Sequence, residues 1–147
     1  MLRGKNMDIK PYTRRANYYE TDKMNIVHHT NYIRYFEEAR IDFMRQIGCS
    51  CTELESHGAI IPVVDVYTKY HKSIRFDDEF TVYLKLIKFN GVKMEYTYEI
   101  RFTETNELAV TGHTSHCFVD ENQKPFSIKR KLPEYYNKMI KYVCTDT

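Results

Sequence analysis

The spacing of hydrophobic and polar positions changes period along the chain, and each period predicts a different element. From Asn31 to Ile47 the apolar residues Tyr32, Phe36, Ala39, Phe43 and Ile47 recur at steps of four, three, four and four. That spacing lays one apolar stripe along an α-helix. Gly48 stands where a helix takes a left-handed C-cap, and Thr30 where it takes a hydroxyl N-cap. Two later stretches, "EFTVYLKLIKF" (79–89) and "VKMEYTYEIRF" (92–102), alternate instead. Phe80, Val82, Leu84 and Leu86 oppose Thr81, Tyr83 and Lys85, and Met94, Tyr96, Tyr98 and Ile100 oppose Lys93, Glu95, Thr97 and Glu99. A period of two predicts strands with one buried face, and the intervening Asn90-Gly91 predicts a tight hairpin between them.

Three further strands are expected: "TRRANYYE" (13–20), "AIIPVVDVYTKYH" (59–71) and "LAVTGHTSHCFVD" (108–120). Pro62 marks an edge, a bulge or a strand beginning. Pro133 opens a short C-terminal helix, "PEYYNKMIKYV". A single long helix among antiparallel strands must lay its apolar face on one face of the sheet, which makes the fold class α+β. Residues 1–12 are expected to form a loose N-terminal tail and residues 13–147 one domain, with no repeat or linker between. A sheet with a free edge beside one main helix favours edge-to-edge pairing into a homo-oligomer.

Composition narrows the choices. A length of 147 residues suits a single core. A formal charge of +2 gives no reason to expect nucleic acid or an anionic membrane as partner. No segment approaches the roughly 20 apolar residues of a membrane span. The stretch "MLRGKNMDIKPYTRR" lacks the apolar core of a secretory signal. Cys49, Cys51, Cys117 and Cys144 have no zinc-site spacing and read as reduced thiols of a cytoplasmic protein.

The candidate chemistry lies in "YYETDKMNIVHHTNYIRYFEEAR" (18–40). Asp22 follows the first expected strand and precedes the long helix. Free N–H groups at a helix start form a partial positive site that can hold a developing oxyanion. A carboxylate beside it can attack an acyl carbon or take a proton from water, so the pair suits acyl transfer. The plainer reading makes Asp22 the acceptor of an Asx-turn. His28 and His29 are adjacent and do not present one face to a metal, and neither HExxH nor GxSxG occurs. His71, His113 and His116 read as satisfied packing or surface residues on strands, Asp77 and Asp78 as turn and solvated residues, and Glu37 or Glu38 as partners of Arg34 or Arg40.

The pattern Y-x-E-T-D-x-M-x-x-V-x-H-x-x-Y-x-x-Y-F-E-x-A-R resembles the signature of the hot-dog-fold acyl-CoA thioesterases, in the branch related to 4-hydroxybenzoyl-CoA thioesterase. It is similar in particular to the Tol-Pal-associated enzymes of that branch. "IPVVDVYTKYHKSIRFDDEFTV" and "TGHTSHCFVDENQKPFSI" resemble later parts of the same family, so the likeness covers most of residues 13–135. The resemblance implies a long helix wrapped by an antiparallel sheet, assembly as a homodimer or homotetramer, hydrolysis of acyl-CoA, and no metal or other cofactor. It implies Asp22 as the catalytic acid and His29 as the residue giving the oxyanion N–H. Asn25, Asn31 and Tyr32 match positions that shape the substrate pocket, with Asn25 where the family usually carries glycine. Lys93 alone keeps a charge where the hydroxybenzoyl enzymes carry a basic cluster for the nucleotide. Hydrolysis of acyl carrier protein thioesters and a non-catalytic acyl-CoA-binding dimer are the alternatives; a dehydratase would need a different His–acid arrangement.

Overall fold

The computed structural model describes residues 8–144. Five strands, β1 (Tyr12–Arg15), β2 (Val63–Tyr70), β3 (Glu79–Phe89), β4 (Lys93–Phe102) and β5 (Leu108–Cys117), form one antiparallel sheet in the order β1-β3-β4-β5-β2. The long helix α1 (Asn31–Gln46) lies across one face of it, and short helices α2 (Cys51–Ser56), α3 (Ile128–Lys131) and α4 (Pro133–Ile140) close the ends. The α+β expectation is met.

The core sits between α1 and the sheet. Tyr32, Tyr35, Phe36, Ala39 and Phe43 are buried along the helical stripe, facing buried Tyr96, Tyr98 and Ile100 of β4. Phe36 stacks on Tyr98 with ring centroids 4.3 Å apart, and Phe43 meets Tyr96 edge-on at 6.0 Å. Room for Phe36 comes from Gly112 on β5: a Cβ there would stand 2.3 Å from the Phe36 ring. Gly48 takes the expected left-handed cap conformation, with φ +80°.

Several boundaries differ from the sequence pattern, each for a local reason. The strand expected over 13–20 stops at Arg15, because the Glu20 carboxylate accepts the Asn17 N–H at 2.8 Å and closes a single 3-10 turn over Tyr18–Glu20. The strand expected over 59–71 is continuous only from Val63, after Pro62; before the proline, Ile60 forms an isolated bridge with Val119. The hairpin spans 90–92 rather than two residues, since Asn90 Oδ1 accepts the N–H groups of both Val92 and Lys93. Helices α2 and α3 were not expected; each begins on a serine whose Oγ accepts an N–H three residues on, Ser50 from Glu53 and Ser127 from Arg130. Thr30 does not cap α1 with its hydroxyl. Its backbone is already helical, and the hydroxyl bonds to His28 Nδ1 at 2.8 Å.

Of the expected tail, residues 1–7 lie outside the described residues, as do 145–147. Residues 9–12 are held: Ile9 packs on the core, Lys10 exchanges two backbone hydrogen bonds with the Gln46 side chain, and Tyr12 begins β1. Among the described residues no helix is long and apolar enough to cross a membrane.

Candidate active site

The residues between the 3-10 turn and α1 fold into a short closed loop. Asp22 N–H donates to Ile26 O and Asn25 N–H returns to Asp22 O, while Thr21 and Val27 form an isolated antiparallel bridge. Closing so tight a turn requires a left-handed residue at position 25, and Asn25 has φ +62°. Asparagine is among the residues most tolerant of that conformation, so the turn forms without glycine.

Asp22 does two things at once. Its Oδ1 accepts the Met24 N–H at 2.8 Å, which is the Asx-turn of the plainer reading. Its Oδ2 has no hydrogen-bond partner among the described residues, and Asp22 lines a cavity of about 200 Å³ together with His29, Tyr32, Tyr70 and Lys72. Ile26 and Val27 give the cavity its apolar side.

The approach to α1 leaves a backbone donor free among the described residues. Asn31 N–H donates to His28 O, His28 N–H donates to Glu20 O, and Thr30 N–H reaches His28 Nδ1. The N–H of His29, between them, has no acceptor among the described residues. It is therefore an unspent donor directly before the N-cap residue Thr30 of α1, close to the partial positive charge of the helix start. The His29 carbonyl is tied off by the Tyr70 hydroxyl at 3.1 Å, and the His29 ring stacks on His28 with centroids 4.3 Å apart. Tyr32 holds the back wall: its hydroxyl accepts the Ile74 N–H, and burial raises the phenol above its usual range.

Asp22, His29 and Tyr32 thus share one cavity. Asn25 shapes the loop through its backbone. Asn31 faces inward, its amide donating to Glu20 O at 2.8 Å, and secures the loop rather than lining the cavity. Lys93 lies at the other end of the sheet in a separate cleft with Asp65, Glu95 and Ser115. Tyr70 was missed by the sequence reading. It lies 41 residues from His29, and only the return of β2 brings it there.

One charged residue takes a partner other than that expected. Glu38 pairs across to Arg14 on β1, at 2.8 and 3.0 Å, and not with a neighbour on its own helix. His116, 2% exposed, is the packing residue its strand position suggested. Its Nε2 lies 2.8 Å from Thr114 Oγ1, and burial, aided by the Arg40 guanidinium, pushes the imidazole down to about 4. In the unfolded chain the same ring takes up its proton near pH 6.5, so acid favours unfolding, and the stability held above that pH is lost as pH falls toward 4. Between pH 7 and pH 5, chemical denaturation is expected to show the wild type losing about 2 kcal/mol more than a His116→Gln variant. Equal losses would assign the acid sensitivity to other groups.

Comparison with known proteins agrees with the fold. The model of the thioesterase-like superfamily matches residues 17–135. The solved structure of a DHNA-CoA thioesterase from Staphylococcus aureus is 34% identical with a TM-score of 0.85, over 89% of this chain and 88% of that one. A hypothetical protein from Aquifex aeolicus, also solved, is 36% identical with a TM-score of 0.78, over 86% of this chain and 98% of its own. The acyl-CoA thioester hydrolase YbgC of Escherichia coli O157:H7 is 22% identical over 118 residues, 80% of this chain and 88% of its own. The chain belongs to the thioesterase-like superfamily, hot-dog-fold enzymes that hydrolyse thioesters.

Proposed function

We propose that the protein hydrolyses acyl-CoA thioesters, releasing free coenzyme A and a carboxylic acid, with Asp22 and the His29 N–H as its working groups. The observation that carries this reading is the pairing, in one cavity, of a carboxylate whose Oδ2 is unpaired and a helix-start residue whose N–H is unpaired. With the thioester carbonyl oxygen at the His29 N–H, charge that develops on that oxygen meets a fixed donor, an interaction worth about 2.7–4 kcal/mol in comparable sites. Asp22 Oδ2 then takes a proton from water as the water oxygen attacks the acyl carbon, or attacks that carbon itself to give a mixed anhydride. Either route places the developing charge on the same carbonyl oxygen and expels coenzyme A as its thiolate; on the second, water then hydrolyses the anhydride, freeing the carboxylic acid and restoring Asp22. The Asx-turn bond at Oδ1 fixes the carboxylate, so Oδ2 needs no reorganisation at the moment of reaction.

A cavity of about 200 Å³ is small for a whole acyl-CoA, since ligand sites commonly span about 300–1,000 Å³. Tyr70 borders it from β2, the longer of the two edge strands of the sheet, where Val63, Val64 and Tyr67 are also exposed. We read this edge as the seam of a homodimer or homotetramer that enlarges the site, in one domain spanning residues 13–147. The cytoplasm is the compartment that supplies acyl-CoA to such an enzyme. The Staphylococcus aureus relative is a DHNA-CoA thioesterase by its name, and the aromatic wall of Tyr32 and Tyr70 favours an aromatic acyl group here; membership of the Tol-Pal-associated branch belongs to the same reading.

The test is thiol release from a panel of aromatic, short aliphatic and long aliphatic acyl-CoAs, with an acyl carrier protein thioester beside them. Turnover of one CoA class is the expected outcome. Turnover of the carrier protein thioester alone would move the reading to that substrate, and tight binding with no turnover would replace hydrolysis by a binding role.

A further inference from the structure

Five donors converge on one buried residue just before the catalytic loop. The Glu20 carboxylate, on a residue 5% exposed, accepts from Arg14 Nη2 at 2.6 Å, Asn17 N–H at 2.8 Å and the Tyr35 hydroxyl at 2.9 Å. The Glu20 carbonyl accepts from His28 N–H and from the Asn31 side-chain amide, both at 2.8 Å. These donors come from β1, from the turn itself, from the far side of the loop and from α1. Arg14 extends the tie by its two bonds to Glu38 on α1, and its guanidinium lies over the Tyr35 ring at 4.9 Å.

The consequence is geometric. Two residues after Glu20 comes Asp22; the chain then turns through Asn25 and is caught again at His28, directly before His29. Both stems of the loop are therefore fastened to the same residue. The bond from His28 N–H to Glu20 O uses up that donor, and the bond from Asn31 N–H to His28 O uses up another, leaving the N–H of His29 as the unpaired one. A buried carboxylate is costly unless it is well served, and here a guanidinium and two further donors all serve one oxygen, Oε1. Burial, together with the bond to Glu20, pushes the Tyr35 hydroxyl far above its usual range, so it remains a donor at every pH of interest.

We propose that Glu20 is a positioning residue: it sets the spacing between the Asp22 carboxylate and the His29 N–H by fastening both stems of the loop. This rests on the hydrolase reading above. Glu20 does not line the cavity and acts only through the two residues it places. Its reach matters as much as its charge. Aspartate, one methylene shorter, keeps the charge but cannot meet Arg14, Asn17 and Tyr35 from the same backbone position.

The test compares wild type, Glu20→Gln, Glu20→Asp and Tyr35→Phe for kcat, KM and amide hydrogen exchange, on the acyl-CoA that the wild type turns over best. Activity is expressed per folded molecule. Both Glu20 variants are expected to lose at least about tenfold in kcat with KM changed less than about threefold, because the cavity walls stay while the reacting groups drift. Exchange over residues 21–30 is expected to rise about tenfold with β3 and β4 unchanged. Tyr35→Phe removes one donor and tests the case if the Glu20 variants fail to fold; a loss of about threefold in kcat with KM retained is expected. Full kcat in Glu20→Asp would make charge and not placement the cause, and would overturn the proposal. Unchanged kcat per folded molecule in all variants would also overturn it, while Asp22→Asn would still report on the hydrolase reading. Wild type that turns over no thioester would remove both.

Discussion

Asp22→Asn is expected to lower kcat by at least about a hundredfold while leaving KM for acyl-CoA nearly unchanged. Asparagine has the size of aspartate and keeps an oxygen for the Met24 N–H, so the Asx-turn that fixes residue 22 survives the exchange. What is lost is the negative charge and the basicity of the second oxygen, which has no other hydrogen-bond partner among the described residues. A loss shared by kcat and kcat/KM marks an interaction made only in the transition state, as a base or nucleophile requires. The melting temperature should not move, because nothing in the turn has changed. Wild-type kinetics in this variant would reduce Asp22 to its turn-forming role.

The largest effect on stability is expected from Gly112. Its Cβ would stand 2.3 Å from Cζ and 2.5 Å from Cε2 of Phe36, both well inside van der Waals contact. Phe36 is fully buried and stacked on Tyr98, so the ring has no free direction in which to yield. Gly112 lies between Thr68 of β2 and Tyr98 of β4, so its own backbone cannot retreat without breaking the ladder. Overpacking of this kind costs about 1–3 kcal/mol, and Gly112→Val should reach the top of that range or pass it. For a domain stable by about 5–15 kcal/mol this is a large fraction. Urea denaturation of Gly112→Ala, Phe36→Leu and the double variant checks the cause: the smaller side chain should recover part of the loss. Strictly additive losses would mean the glycine is required for some other reason.

The elements with a strict period were legible because burial enforces that period. The stripe from Tyr32 to Phe43 and the alternation in β3 and β4 are the residues that meet in the core. Boundaries were less legible because single side chains decide them. Glu20 ends β1 by bonding Asn17, and Asn90 lengthens the hairpin by accepting two N–H groups. Helix α2 did carry a signal, the capping pattern Ser50-Cys51-Thr52-Glu53, but a helix this short has no stripe to accompany it. At the site, Asp22, His29 and Tyr32 were legible together since one contiguous motif holds them. Asn31 and Lys93 show what a motif position leaves unsaid: the first turns inward to Glu20 O, the second stands in another cleft. Tyr70, bonded to His29, and Arg14, bonded to Glu38, enter through pairing between distant segments, which no local spacing records.

A crystal structure of the Asp22→Asn variant with its preferred acyl-CoA bound tests the central claim most directly. The thioester carbonyl oxygen is expected about 2.7–3.1 Å from the His29 backbone nitrogen, with the acyl carbon facing residue 22. A thioester bound with its carbonyl turned away from that nitrogen, or lodged in another cleft, would contradict the account.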